Sequence, residues 1–277
     1  MTAANPLARI ADWPVPHAAA AVVSPTGVLA TAGDPDRLFA LASVTKPLTG
    51  LATLVAVEEG ALDLDTPLDT VAELPGISVR QLLSHASGIH PERRSRAAAP
   101  GTRRIYSNAG YDVLGETVAA ATQMPFERYL AEAVFAPLQL VGARLDGSPA
   151  KDGVASVTHL SRVLSEWLAP TGLLHADTLA DATSVQFPGL RGVLPGYGAQ
   201  EHNDWGLGVE IRDHKSPHWT SARNSPATFG HFGRSGTMVW VDPQARLGLV
   251  ALSDRDFDKW AIAAWPELSD AVLDAFG

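Results

Sequence analysis

Residues 43–57, SVTKPLTGLATLVAV, form a helix-length run without a polar face, and no other stretch constrains the fold as much. Apolar side chains fall at every helical offset, and Glu58-Glu59-Gly60 reads as the helix end. Pro47 falls in the first turn, where a missing N–H costs least. A helix that is apolar all round must be covered on all sides. Short apolar runs surround it: 18–23 and 28–31 flank Ser-Pro-Thr-Gly as a β-hairpin, and 38–41 reads as a third strand. The chain must therefore build other elements around a central helix. Its 277 residues, at roughly 150 per domain, supply one large domain or two interleaved ones.

Helical spacing recurs at 79–84, 110–122, 126–135, 157–168 and 178–184, and 187–204 form a glycine-rich bridge. Strand patterns return at 205–211, 228–232, 237–241 and 247–252, with Asp242-Pro243 as a turn. An amphipathic helix over 268–276, extending back towards Lys259, closes the chain. Strands at both ends with helices between predict an α/β (α+β) fold: an antiparallel sheet flanked by terminal helices, carrying an inserted helical domain. The expected division is 1–62 plus 188–277 for the sheet domain and 63–187 for the insertion. An active site is expected in the groove between the two layers.

Composition removes several chemistries. The absence of cysteine excludes disulfides, thiolate nucleophiles, Cys-ligated zinc and iron–sulfur clusters. A net charge of −9 argues against nucleic-acid or anionic-membrane binding. The uncharged stretch 13–33 is broken by Pro14, Pro16, Pro25 and Gly27, too short in its apolar part to span a bilayer or serve as an export signal. A cytoplasmic location is the expectation.

With thiols excluded, a hydroxyl nucleophile needs a nearby base. Ser43 and Lys46, three apart at the start of a buried helix, share one face. Burial favours the neutral amine, and the helix start places the Ser43 N–H where an anion is stabilised. The same spacing recurs at Ser148 and Lys151, in a Gly/Pro-rich connection where Ser148 reads as a helix N-cap. Tyr106-Ser107-Asn108 opens the helix at 110–122. A tyrosine beside a cationic lysine can have its pKa lowered and exchange a proton, with Asn108 positioning the amine. The alternative is a packed aromatic followed by an N-cap asparagine. In 230–236, GHFGRSG, glycines permit close backbone approach to a ligand, and a strand edge can supply an oxyanion N–H.

In this order the segments resemble the serine β-lactamase and penicillin-binding protein superfamily, whose signature is S-x-x-K plus two further motifs. Tyr-x-Asn second and His-x-Gly third resemble its class C β-lactamase branch, which includes D,D-peptidases and family VIII esterases. Residues 82–88, LLSHASG, are similar to the family's LLSHTSG; Pro100-Gly101 precedes Tyr106, and Gly230-His231 matches its GH-x-G strand. The resemblance runs from about 18 to 254. It implies Ser43 as the nucleophile of an acyl-enzyme, Lys46 as its proton partner and Tyr106 as general base and acid. It further implies substrate contacts from Asn108, His231, Gly233 and Arg234, an oxyanion hole from the N–H groups of Ser43 and Arg234, and no metal or cofactor. The implied substrate is a small ester, amide or β-lactam. His231 stands where lysine is common in β-lactamases and transpeptidases, so esterase-like action is expected. The alternatives are a β-lactamase or D-alanyl-D-alanine carboxypeptidase, or a sensor that is acylated without turnover.

Rival chemistries lack their signals. No G-x-S-x-G is present for an α/β-hydrolase elbow. Pro217 interrupts His214 and His218, while His85 and His90 lack a carboxylate at metal spacing; His85 reads as a packed core residue. Arg93, Arg94, Arg96, Arg103 and Arg104 form a solvated loop or, with Arg234, a cationic rim favouring acidic substrates. Trp205, Trp219 and Trp240 read as core or as aromatic walls.

Overall fold

Both ends of the chain contribute to one six-stranded antiparallel sheet, as the strand pattern predicts. The computed structural model describes residues 5–68 and 74–277; residues 1–4 and 69–73 of the expected domain ranges lie outside the described residues. A 3₁₀ turn at Pro6–Asp12 precedes β1 (Ala18–Ser24) and β2 (Gly27–Ala32). The short β3 (Phe39–Ala40) then leads into α1 (Thr45–Glu58). Next come α2 (Val79–Leu83), α3 (Asn108–Thr122), α4 (Phe126–Leu130), β4 (Arg144–Leu145), β5 (Gly153–Ala155), α5 (Val157–Leu168) and α6 (Ala176–Ala182). A hairpin of β6 (Gly192–Leu194) and β7 (Gly198–Gln200) precedes β8 (Glu210–Ile211), β9 (Phe229–Gly233), β10 (Thr237–Asp242), β11 (Leu247–Ser253) and α7 (Lys259–Phe276). The order across the sheet is β2-β1-β11-β10-β9-β8, with Ala21 of β1 opposite Val250 of β11.

The central strands read as continuous apolar runs because both faces of the sheet are covered. Ala20, Val22, Met238, Trp240 and Leu249 pack with Trp265, Leu268 and Val272 of α7. Ala21, Val23, Val239 and Val250 share the other cluster with Leu48, Leu51 and Leu54 of α1. On that face α5 crosses β1, β10 and β11, whereas α1 meets β9 and packs on α3 and α4. This enclosure is why α1 carries no polar stripe. Each of its buried leucines contributes about 1.5–3 kcal/mol.

Several expectations are corrected. The strand over 205–211 shrinks to Glu210–Ile211. Gly208 takes φ +93°, and a Cβ there would stand 3.0 Å from the Gly50 Cα, so the chain leaves the sheet to pass α1. Ser148 caps no helix: its Oγ accepts from the Ala150 N–H in a tight turn, and strand β5 follows. Asn108 is not an N-cap either. Ser107 fills that position, accepting from the Gly110 N–H at 2.8 Å, so α3 starts two residues early and Asn108 lies in its first turn. Helix α6 is likewise displaced two residues towards the N-terminus, capped by His175. The bridge at 187–204 contains the β6–β7 hairpin. No described helix is long and apolar enough to cross a membrane.

Candidate active site

Ser43 lies in a 3₁₀ turn, Ala42–Val44, that runs directly into α1. Ala42 before it takes φ +46°, a left-handed conformation that costs a non-glycine residue of order 1–2 kcal/mol. The surroundings hold it there. Leu41 N–H donates to the Gly153 carbonyl at 2.9 Å, and Thr45 Oγ1 donates to the Ala42 carbonyl at 2.7 Å. From the sheet, Thr237 Oγ1 donates to the Leu41 carbonyl and Ser235 Oγ to the Ala40 carbonyl, each at 2.7 Å. Gly233 makes this approach possible, because a Cβ there would stand 2.3 Å from the Leu41 oxygen and 2.4 Å from Thr237 Oγ1. The β9–β10 hairpin thus grips the residues before the serine.

One helical turn on, Lys46 is 0 % exposed. Its Nζ lies 3.4 Å from Ser43 Oγ, 2.7 Å from the Tyr106 hydroxyl, 2.8 Å from Asn108 Oδ1 and 3.0 Å from the Ala150 carbonyl. Burial drives its pKa down to about 7, against the opposing pull of Asp112 and Glu92, with Lys151 adding to the fall. Asn108 and Ala150 present oxygens that only accept. A neutral Lys46 therefore spends its two N–H bonds on them and keeps its lone pair for the hydroxyls.

The Tyr106 hydroxyl donates to Ser43 Oγ at 2.6 Å. Burial pushes its pKa well above the ordinary phenol range, although the bond to Ser43 pulls the other way. This corrects the expected lowering: desolvation, with Glu92 and Glu210 adding to it, outweighs the bond to Ser43, and the resting tyrosine keeps its proton. Its ring is held between His85, at a centroid distance of 4.6 Å, Trp205 at 5.9 Å and His231 at 5.8 Å. His85 also fixes the backbone on both sides. Its carbonyl accepts from Ile105 N–H at 2.9 Å, and its Nδ1 accepts from Ser107 N–H at 3.1 Å.

His231 is 3 % exposed and sits behind Tyr106, its Nδ1 bonded to the Phe232 carbonyl at 2.7 Å. Burial and then the Lys46 charge hold its pKa down to about 3, so the ring is neutral. Arg234 opens the turn after β9, beside the clamped residues. Its side chain is 86 % exposed and lies 3.6 Å from Asp256. The structure thus gathers Ser43, Lys46, Tyr106 and Asn108 at hydrogen-bond range, sets His231 against the tyrosine, and places Gly233 against Leu41 and Ala42.

Other sequence candidates fall elsewhere. Arg104 is 2 % exposed and donates to the carbonyls of Ser84, Gln186, Phe187 and Asn203, so it is a structural staple and no part of a rim. Arg94 pairs with Glu116, Arg96 donates to the Pro75 carbonyl, and Arg93 reaches His90. His218 bonds to Glu210 at 3.0 Å and Thr220 at 2.8 Å inside a buried cluster with Lys215 and Trp219. No group of metal-binding side chains occurs among the described residues. Trp240 packs on the α7 face, and Trp219 on the same side; only Trp205 touches the site. Sequence reasoning missed the Ala150 carbonyl, which belongs to the second S-x-x-K segment, and missed Glu92, which accepts from Asn108 Nδ2 at 2.8 Å.

Comparison with known proteins agrees with this architecture. A solved β-lactamase from Mycobacterium bovis is 54% identical, covering 98% of this chain and 99% of that one, with a TM-score of 0.95. Simvastatin synthase from Aspergillus terreus shares the fold at 18% identity over 99% of both chains, with a TM-score of 0.82. An Escherichia coli O157:H7 protein provisionally named D-alanyl-D-alanine carboxypeptidase is 26% identical across 82% of this chain and 70% of its own length. The Beta-lactamase family model matches residues 13–272. With the fold and nearly the whole length in agreement, the chain is a member of the Beta-lactamase family of hydrolases.

Proposed function

We propose that this chain is a serine hydrolase that forms an acyl-enzyme on Ser43 and acts on small esters or amides, with esters preferred. One observation carries the reading: Ser43 Oγ, the Tyr106 hydroxyl and Lys46 Nζ form a continuous hydrogen-bonded chain, with links of 2.6 and 2.7 Å. Once the Tyr106 O–H turns from Ser43 Oγ to the lone pair of the neutral Lys46, the serine hydroxyl donates to the Tyr106 oxygen. As Oγ attacks the acyl carbonyl, its proton passes to that oxygen while the tyrosine proton passes to the amine. The tetrahedral oxyanion faces the N–H groups of Ser43 and Arg234. On collapse the proton returns through Tyr106 to the leaving oxygen or nitrogen, and water enters by the same route to release the acid. Tyr106 relays a proton in each step and carries no lasting charge.

The preference for simple esters rests on the third motif. A neutral, buried His231 offers no cation for a substrate carboxylate, and the Arg234 guanidinium extends outward to Asp256. The alternative of β-lactam hydrolysis draws support from the 54% identical Mycobacterium bovis β-lactamase. A panel of p-nitrophenyl esters, a chromogenic cephalosporin and a D-Ala-D-Ala peptide separates the cases. Ester turnover exceeding the others is expected; faster cephalosporin or peptide turnover reverses the assignment, and a burst that stops means a sensor. Fluorophosphonate labelling must vanish in Ser43→Ala.

A further inference from the structure

Glu92 has no place in the relay described above, yet its carboxylate closes it. Asn108 bridges two partners with opposite ends of one amide: Oδ1 accepts from Lys46 Nζ at 2.8 Å, and Nδ2 donates to Glu92 Oε1 at 2.8 Å. An amide can rotate to exchange its two ends, and only one orientation gives the lysine an acceptor. A carboxylate cannot donate, so Glu92 accepts the NH₂ end and rejects the flipped form. The charge matters as well. Lys46 is enclosed by Asp112 of α3, Lys151 of the 148–152 turn, the rings of Tyr106 and Tyr111, and the neutral His85 and His231. Of these surroundings, Glu92 and Asp112 are the carboxylates that favour its charged form.

We propose that Glu92 is a positioning residue for the Ser43–Lys46 site: it fixes the Asn108 amide with its oxygen towards the lysine and supplies negative charge facing that buried amine. The inference rests on the Ser43 acyl-enzyme reading. Because Glu92 lies on the exposed 91–96 loop, replacing it leaves the core untouched. Glu92→Gln removes the charge and keeps a partner for Asn108, but its amide can donate as well as accept and so no longer rejects the flipped form. Glu92→Ala removes both charge and partner.

The test is the pH profile of fluorophosphonate labelling, with thermal denaturation as a check that each variant folds. With the charge gone, Lys46 loses its proton more readily, and the acid limb in Glu92→Gln moves to lower pH by about 0.5–1 unit, with a plateau lowered no more than about twofold because its amide holds Asn108 in either orientation. In Glu92→Ala the same displacement comes with a plateau about fivefold lower, from loss of the bond that orients the amide. An acid limb unmoved in both variants, with Ser43→Ala unlabelled, overturns the role of Glu92 alone. Labelling that persists in Ser43→Ala removes the acyl-enzyme reading, and this inference with it.

Discussion

The Tyr106 hydroxyl stands 2.6 Å from Ser43 Oγ, closer than the 3.4 Å between that oxygen and the Lys46 amine. The shortest path for the serine proton therefore runs through the phenol. Tyr106→Phe should lower the acylation rate by about 10²–10³ while leaving substrate binding near its original strength. Stopped-flow measurement of the acyl burst reads the rate directly. A variant that acylates as fast as the parent would show that the lysine takes the proton across the longer gap.

The pH dependence follows from the same amine. Burial lowers the Lys46 pKa from 10.5 to about 7, and in the proposed relay the deprotonated form is the base. The rate with a neutral ester should rise as pH increases through about 7 and then level off. Ionisation of Tyr106 brings no fall in the ordinary range, because burial pushes that group higher still. Lys46→Arg, which cannot lose its proton, should be inactive at every pH. A rate that declines as pH rises through 7 contradicts the assignment.

Gly233 tests the grip on the nucleophile. An added methyl would meet the Leu41 carbonyl and Thr237 Oγ1 well inside contact distance. Gly233→Ala should destabilise the fold by about 1–3 kcal/mol and depress labelling of Ser43 beyond what the lost stability explains. Denaturant titration and labelling of the folded fraction give the two quantities separately.

Arg104 and its neighbour Arg103 make a paired comparison. The first donates to four backbone carbonyls from a buried position, and burial draws its pKa down to about 10; the second is exposed. Arg104→Ala should cost about 3 kcal/mol or more, since several buried carbonyls lose their partner. Arg103→Ala should stay within about 0.5 kcal/mol. Equal losses in a denaturant titration would refute the staple.

Features carried by periodicity or by spacing along one helix were legible before any coordinates. The unbroken apolar surface of α1 announced its enclosure, and Ser43 and Lys46 follow from a turn of that helix. Tyr106 and Asn108 were found by motif, but the direction of the tyrosine shift was not, because burial and not the neighbouring charge decides it. Glu92 and the Ala150 carbonyl meet Asn108 and Lys46 only through folding. No spacing rule marks an exposed glutamate or a backbone oxygen, and the second S-x-x-K pattern pointed to the wrong atoms of the right segment. The strand expected at 205–211 failed at Gly208, where contact with Gly50 overrides local preference.

The hairpin clamp on Ala40 and Leu41 has a mechanical consequence. Ser235 and Thr237 fasten the turn at Arg234 to the two residues that precede Ala42 and Ser43. A displacement of that turn would therefore carry the backbone leading into Ser43 with it.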